Sequence, residues 1–347
     1  MRYILPKGIE ISIDILEKIL SDTTDIARMD KLENYYMGKT EILSRQMKDK
    51  SKPNNKIVNP YSNYITNTLT GYFLGKPISY HSSDEDCNAE LQYILKYNDV
   101  AAVDYSLGKD ISIFGKSYEL HYIDETGTPR FTKVDARQMR VIYDDSINNE
   151  MMYAIRLVPQ YSLITDTCFY EIEVYDDVSI KYYRADKNLS NITFIGEEAH
   201  YYGMVPIVEY VNNENMLGDF EEVMSLIDAY DVLTSDALND FSYFVDSYLL
   251  LRGMTATDED IEKMKENRVL IVDDSEADAK WLIKTESDNI SENMKNRFND
   301  EIHKFSYTPD LSDDFFSGNA SGVAIKYKLY GTETLTAVKE RYFKKGI

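Results

Sequence analysis

The sequence predicts an α+β protein, and three observations carry that reading. Apolar residues recur at helical spacing near the start, at Ile11, Ile15 and Ile19 and again at Met29, Leu32 and Tyr36. Between Tyr118 and Tyr183 the pattern changes to period-two alternation broken by turn residues, the mark of hairpins. From Asp219 to Tyr248 a stripe of Val223, Leu226, Ile227, Tyr230, Leu233, Ala237, Phe241, Phe244 and Tyr248 returns to helical spacing.

Each element follows from local chemistry. Residues 9–36 read as two short helices, and Met37-Gly38 ends the second. Residues 46–56, QMKDKSKPNNK, are polar with a proline and two asparagines, so they form a loop. Val58 to Phe73 is helical until Gly75-Lys76-Pro77 stops it. Ile78 to His81 reads as a short strand, and Glu90–Lys96 and Val103–Phe114 as helices. Tyr118–Ile123 and Arg130–Val134 alternate around the turn residues Glu125-Thr126-Gly127-Thr128-Pro129, which predicts a hairpin. Val141–Tyr143, Met152–Val158, Phe169–Tyr175 and Ser179–Tyr183 continue the β body. Asp219 suits a helix N-cap, with Glu221 and Glu222 favourable in the first turn, and the helix to Tyr248 would be roughly 45 Å long. A compact insert follows: strands at Leu249–Leu251, Arg268–Val272 and Lys280–Ile283, and a short acidic helix over Thr257–Lys265. Residues 288–306 form another helix with the stripe Ile290, Met294, Phe298, Ile302 and Phe305, ended by Pro309. A loop of small and aromatic residues, FFSGNASG, leads to a last helical stretch from about Ser321.

Composition narrows the function. The apolar share of 43% is ordinary for a globular chain, and 347 residues leave room for two or three domains. Thirty-eight Lys plus Arg against 60 Asp plus Glu give a net charge of -22, which argues against tight gripping of nucleic acid. It leaves open a surface that DNA passes without sticking. Two cysteines far apart in sequence, Cys87 and Cys168, fit a reducing compartment. Lys7 and Glu10 interrupt the place where a signal peptide needs its apolar core, and no apolar run approaches the roughly 20 residues of a membrane-crossing helix.

The motifs that could carry catalysis fail on their details. DISIFGKS, 110–117, has Asp110 where a phosphate loop needs its first glycine, and a helix rather than a strand precedes it. Gly115 there reads as a helix C-cap. GNASG, 318–322, has its serine fourth rather than third, and no strand leads into it. His81, His121, His200 and His303 lack metal-ligand spacing. The Asp pairs at 144–145, 176–177, 273–274 and 313–314 read as solvated turns. No catalytic residue, cofactor or metal is expected.

Five stretches together carry a resemblance: LENYYMGKTEILSR (32–45), PNNKIVNPYSNYITNTLTGYFLGKPISY (53–80), DISIFGKSYELHYIDETGTPRF (110–131), DFEEVMSLIDAYDVLTSDALNDFSYFVDSYLLLRG (219–253) and FSGNASGVAIKYKLYG (316–331). In order, from about residue 30 to the end, the chain resembles the portal proteins of tailed bacteriophages, in the branch with long non-contractile tails. The resemblance implies a ring of about twelve copies at one capsid vertex around a channel for double-stranded DNA. It implies a mixed α/β wing over 1–218, a long helix leading into the stem over 219–248, and a small α/β clip over 249–286. A stem helix over 287–307, a tunnel loop over 308–320 and a return helix over 321–347 complete it. Family members continue past this point into a helical crown, so the resemblance implies a shortened form or one without a crown.

The resemblance also names residues. The tunnel loop would present Asp310, Ser312, Asp313, Asp314, Phe315, Phe316, Ser317, Gly318 and Asn319 to the DNA, its carboxylates repelling phosphate over a Debye length of about 8 Å. Lys295, Arg297 and Lys304 on the stem helix would either line the channel or sit in ion pairs between subunits. Asp258, Glu259, Glu262, Asp273, Asp274 and Trp281 would meet the terminase at the clip, Trp281 being either core or an interface anchor. The implied partners are further copies of the chain, the terminase large subunit, head-completion adaptors, capsid and scaffold proteins, and DNA bound without sequence specificity, with no membrane. The implied location is the virion, after assembly in the host cytoplasm. Two other readings stay open: a different virion adaptor, and a hydrolase working through paired carboxylates.

Overall fold

The computed structural model describes residues 2–50, 52–244, 249–252, 278–281, 287–311 and 322–347. Its chain divides into two compact units: one of Met1–Lys39, Pro60–Ser225 and Ile302–Ile347, the other of Thr40–Asn59 and Leu226–Glu301. Among the described residues no helix is long and apolar enough to cross a membrane.

The first unit is built on a six-stranded sheet. β1 (Tyr3–Ile4) lies parallel to β4 (Met139–Tyr143). From β4 an antiparallel meander runs through β5 (Met151–Ser162), β6 (Thr167–Tyr175), β7 (Ser179–Asp186) and β8 (Thr193–Ala199). Register puts Ile155 opposite Val174 and Leu157 opposite Ile172, so one face is apolar. Helix α1 (Ile13–Ser21) covers that face with Leu16, Ile19 and Leu20. Ser12 caps it, accepting from the Ile15 amide. The expected hairpin is present: β2 (Lys116–Ile123) pairs with β3 (Pro129–Val134) and, on its other side, with β9 (Ile207–Val211).

Helices α2 (Thr24–Tyr36), α3 (Tyr61–Leu74), α4 (Glu85–Tyr97) and α5 (Val100–Phe114) belong to the same unit. A second core joins Leu74 of α3, Leu107 and Ile111 of α5, Tyr210 of β9 and Phe343 of the last helix, α8 (Gly322–Phe343). The strand expected over Ile78–His81 is absent. Its polar groups are met from the side: the Tyr80 hydroxyl donates to Asp104 (2.9 Å) and Gln92 donates to the Tyr80 carbonyl (2.6 Å). β8 and β9 escape the sequence reading because neither alternates cleanly. β8 keeps Phe194 and Ile195 exposed, and pairing partners alone make them strands.

A polar hub gathers this unit's helices. Gly115 ends α5 in the left-handed region (φ 81°), where a Cβ would lie 1.9 Å from the Met216 carbonyl. That confirms the capping role of Gly115 and closes the phosphate-loop reading, because Asp110 is a buried residue of α5 paired with Lys133 at 2.7 Å. The close approach brings the turn at 212–219 onto α5. There Asp219 is not an N-cap but a buried acceptor for Ser112, for Asn212 (2.8 Å) and for Lys339 of α8. Its own amide donates to the Ser112 carbonyl at 2.8 Å. Glu221 stands in the first turn as expected, accepting the Gly218 amide at 3.0 Å, and also takes the Arg28 fork of α2 bidentately, at 2.7 and 2.6 Å. A 3-10 turn at Glu221–Val223 then leads into α6 (Met224–Phe244), whose described length is about 31 Å.

The second unit rests on α6. Asp231, Ser235 and Asn239 accept the backbone amides of Asn59 (2.8 Å), Ile57 (2.9 Å) and Asn55 (2.7 Å). Every fourth helix residue thus meets every second residue of an extended segment. The rises agree: about 6 Å for four helical residues and about 6.6 Å for two extended ones. Thr40 also donates to Asp231, at 2.6 Å. β10 (Leu249–Arg252) and β11 (Asp278–Trp281) pair antiparallel with Leu249 opposite Trp281, as the insert's first and last strands require. The expected helix at Thr257–Lys265 and strand at Arg268–Val272 lie outside the described residues. Helix α7 (Ser287–Phe305) completes the inventory.

Two outcomes follow from the buried charges. Lys339 and Asp219 have side chains 1% and 2% exposed, so Lys339→Met should cost about 3–5 kcal/mol in urea unfolding by stranding a carboxylate. The double variant with Asp219→Leu should lose less. Asp104 is buried, and burial, with Glu119 nearby, lifts its pKa to about 6 against the lowering by Tyr80. The folded state therefore binds this proton more readily than the unfolded chain, whose Asp titrates near ~3.9. Stability from Asp104 should fall as pH rises from ~4 to ~6, and Asp104→Asn should remove that slope from the difference between variant and wild type.

Candidate functional site: the anchored base of the acidic loop

The last turn of α7 with the segment after it, residues 302–311, and the middle of α8 belong to the first unit. There the chain enters the loop singled out by the sequence, and a knot of polar contacts holds the entry. Tyr307 leaves the helix in the left-handed region, φ 57°, a conformation uncommon for a residue with a side chain. Two hydrogen bonds fix it. Thr332 of α8 donates to the Tyr307 carbonyl at 2.6 Å, and the Thr308 amide returns to the His303 carbonyl at 3.2 Å. Gly331 is where α8 passes Tyr307, and a Cβ there would stand 3.3 Å from the ring.

Around this turn the partners come from α3. The Tyr64 hydroxyl donates to the Pro309 carbonyl at 2.6 Å. The His303 ring stands edge-on to Tyr61 and Tyr64, with centroids 6.0 and 5.6 Å away. Its Nδ1 meets the Thr308 carbonyl at 3.3 Å, and Nε2 lies 3.9 Å from the Asp310 carboxylate. Ser306 and Thr308 share a 2.6 Å hydroxyl contact out of water. Burial pushes the Tyr64 hydroxyl's pKa up, so it stays a donor. A cavity of about 280 Å³ opens beside the knot between His303, Lys304, Tyr307, Asp310 and Lys328.

The residues expected from the sequence fall as follows. Asp310 is in the knot, facing His303. Ser312, Asp313, Asp314, Phe315, Phe316, Ser317, Gly318 and Asn319 lie outside the described residues, as do Asp258, Glu259, Glu262, Asp273 and Asp274. Trp281 is placed by its backbone, at the end of β11. Lys295 pairs with Glu292 (2.6 Å) and Arg297 with Glu301 (2.9 Å), each within α7. Lys304 lies 5.4 Å over the Phe305 ring. Asp144 and Asp176 cap turns, accepting the amides of Ser146 and Glu150 and of Val178 and Ser179. Among the described residues no group of His, Cys, Asp and Glu is arranged to hold a metal. The anchor residues Tyr61, Tyr64, Thr308 and Thr332 were missed, because each is an unremarkable helix or loop residue until α3, α7 and α8 meet.

A family model described as phage portal protein, SPP1 Gp6-like, matches residues 16–347, and the chain belongs to that family of bacteriophage head–tail connectors. The match starts earlier than the resemblance at about residue 30 and takes in most of α1, from Leu16 on. The portal protein of Bacillus phage SPP1 is 25% identical over 336 residues, covering 91% of this chain and 64% of that protein. The chain thus spans less than two thirds of that relative's length. The crystal structure of an HK97 family phage portal protein from Corynebacterium diphtheriae aligns over 82% of this chain and 85% of its own, with 10% identity and a TM-score of 0.37.

Tyr64→Phe removes one buried donor and leaves the Pro309 carbonyl unmet, a loss of about 1–3 kcal/mol local to the knot. Hydrogen exchange should quicken at the amides of residues 306–311 and stay unchanged in the six-stranded sheet. Equal exchange in variant and wild type would show that the contact holds nothing.

Proposed function

We propose that this protein is a portal whose copies, about twelve, close into a ring at one vertex of the virion capsid and conduct double-stranded DNA during packaging and ejection. The family match across residues 16–347 carries the reading. The family is structural rather than enzymatic, so packaging force would come from a terminase large subunit docking on the ring, and head-completion proteins would follow. The segment between β10 and β11 would be that docking element, with Asp258, Glu259, Glu262, Asp273, Asp274 and Trp281 as contacts. Capsid and scaffold proteins would surround the wing.

Exposed apolar side chains support assembly. Ile290 and Met294 of α7 are 63% and 43% exposed in the single chain, and Phe241 of α6 is 70% exposed. Such stripes are ordinarily covered. In this reading the loop beyond Asp310 faces the channel. Its knot at Tyr64, His303, Thr308 and Thr332 holds the loop entry still while the carboxylates and small residues past it let DNA slide. An acidic belt guides without trapping, since no counterions are released by contact.

Mass photometry of the purified chain should show a species near twelve protomers, and end-on electron micrographs a ring. A monomer that persists at high concentration would defeat the proposal. Deleting residues 310–318 should leave ring formation intact and abolish DNA packaging in a reconstituted reaction. Packaging at the wild-type rate would remove the loop from the channel.

A further inference from the structure

Helix α8 has an inner face and an outer one, and in the single chain only the inner face is covered. Thr332, Lys339 and Phe343 fall on one side of the helix and are buried. Val323, Tyr327, Tyr330, Thr334 and Val338 follow one another at steps of four, three, four and four, which sets them on the opposite side. All five are exposed, Tyr327 at 79% and Tyr330 at 66%. The stripe is about 22 Å long. Thr334 donates its hydroxyl to the Tyr330 carbonyl at 2.8 Å, so its polar group is met within the helix. Tyr72 of α3, itself exposed, borders the stripe by donating to Glu333 at 3.3 Å. A helix side that faces water ordinarily carries charged and polar residues. This one carries tyrosine and valine, and tyrosine joins a large apolar body to a hydroxyl, the chemistry enriched where proteins meet.

Charge says what covers the stripe. From Gly322 to the last residue the chain has six Lys or Arg against two Glu, although its net charge is -22. Lys326 beside the stripe and Arg341 at its end are exposed, and neither makes an ion pair among the described residues. The complementary surface is apolar with carboxylates at its margin. The chain itself offers one: α6 holds no Lys or Arg and exposes Leu238, Asp240 and Phe241. DNA fits less well, because gripping phosphates takes cations in a row and the stripe from Tyr327 to Val338 contains none.

We propose that the outer face of α8, centred on Tyr327 and Tyr330, is a docking face for a second copy of this chain, with Lys326 and Arg341 meeting carboxylates of that copy. The proposal rests on the ring reading and names the face through which neighbours meet. A contact between two unlike faces repeats from copy to copy until the ring closes.

The double variant Tyr327→Asp with Tyr330→Asp should keep the wild-type Tm, since both side chains are exposed. In mass photometry it should need about 100-fold more protein to assemble. In the otherwise wild-type chain, p-benzoylphenylalanine at position 327 should crosslink to another copy on irradiation, read by mass spectrometry from mixed light and nitrogen-15-labelled chains. Crosslinks confined to one chain would overturn this face, and so would a double variant that assembles like a ring-forming wild type; both leave the portal reading standing. A double variant that forms the ring but loses affinity for a DNA duplex would assign the stripe to DNA and overturn the proposal too. A wild type that stays monomeric defeats both readings. The crosslink decides even where the double variant does not fold.

Discussion

Asp219 is the residue on which the first unit turns. One carboxylate, 2% exposed, accepts from α5 through Ser112, from the turn after β9 through Asn212, and from α8 through Lys339. A charge removed from water in this way is tolerable only when every lone pair is met and a cation stands opposite. That demand brings together segments more than a hundred residues apart. It also sets where α8 passes the end of α7, and so where Thr332 can reach Tyr307. The loop entry is held because a carboxylate elsewhere had to be satisfied.

The second unit solves a different problem with the same means. Residues 52–59 have no strand to pair with, yet their amides need acceptors. α6 provides them at every fourth position, and the segment takes them at every second. The near-equality of the two rises lets a polar stripe on a helix do the work of a neighbouring strand. Asp231, at the foot of this ladder, takes the Asn59 amide and side chain and the Thr40 hydroxyl, which offsets the burial that raises its pKa.

The charge of -22 is spent unevenly. Many carboxylates are structural: Asp110, Asp144, Asp219, Glu221 and Asp231 each hold a backbone or a cation in place. Lys295 and Arg297 are engaged along their own helix, so in the single chain neither presents a bare cation.

Much of this was legible in order along the chain. Helices α1 to α8, the β2–β3 hairpin, strands β4 to β7 and the pairing ends of the insert follow from periodicity, from Gly38, Gly75 and Gly115, and from turn residues. These depend on neighbours a few positions away, and a sequence states its neighbours directly. The family, too, could be read from five ordered stretches. Tertiary structure alone decided that Ile78–His81 is no strand while Thr193–Ala199 is one, since an edge exists only where a partner lies alongside. It alone turned Asp219 from a helix cap into the acceptor for Lys339, gave Glu221 at the helix start the Arg28 fork as a second role, and made Tyr64, His303 and Thr332 one anchor. Those roles rest on contacts between distant segments, which cost chain entropy to form and leave no periodic trace in the letters.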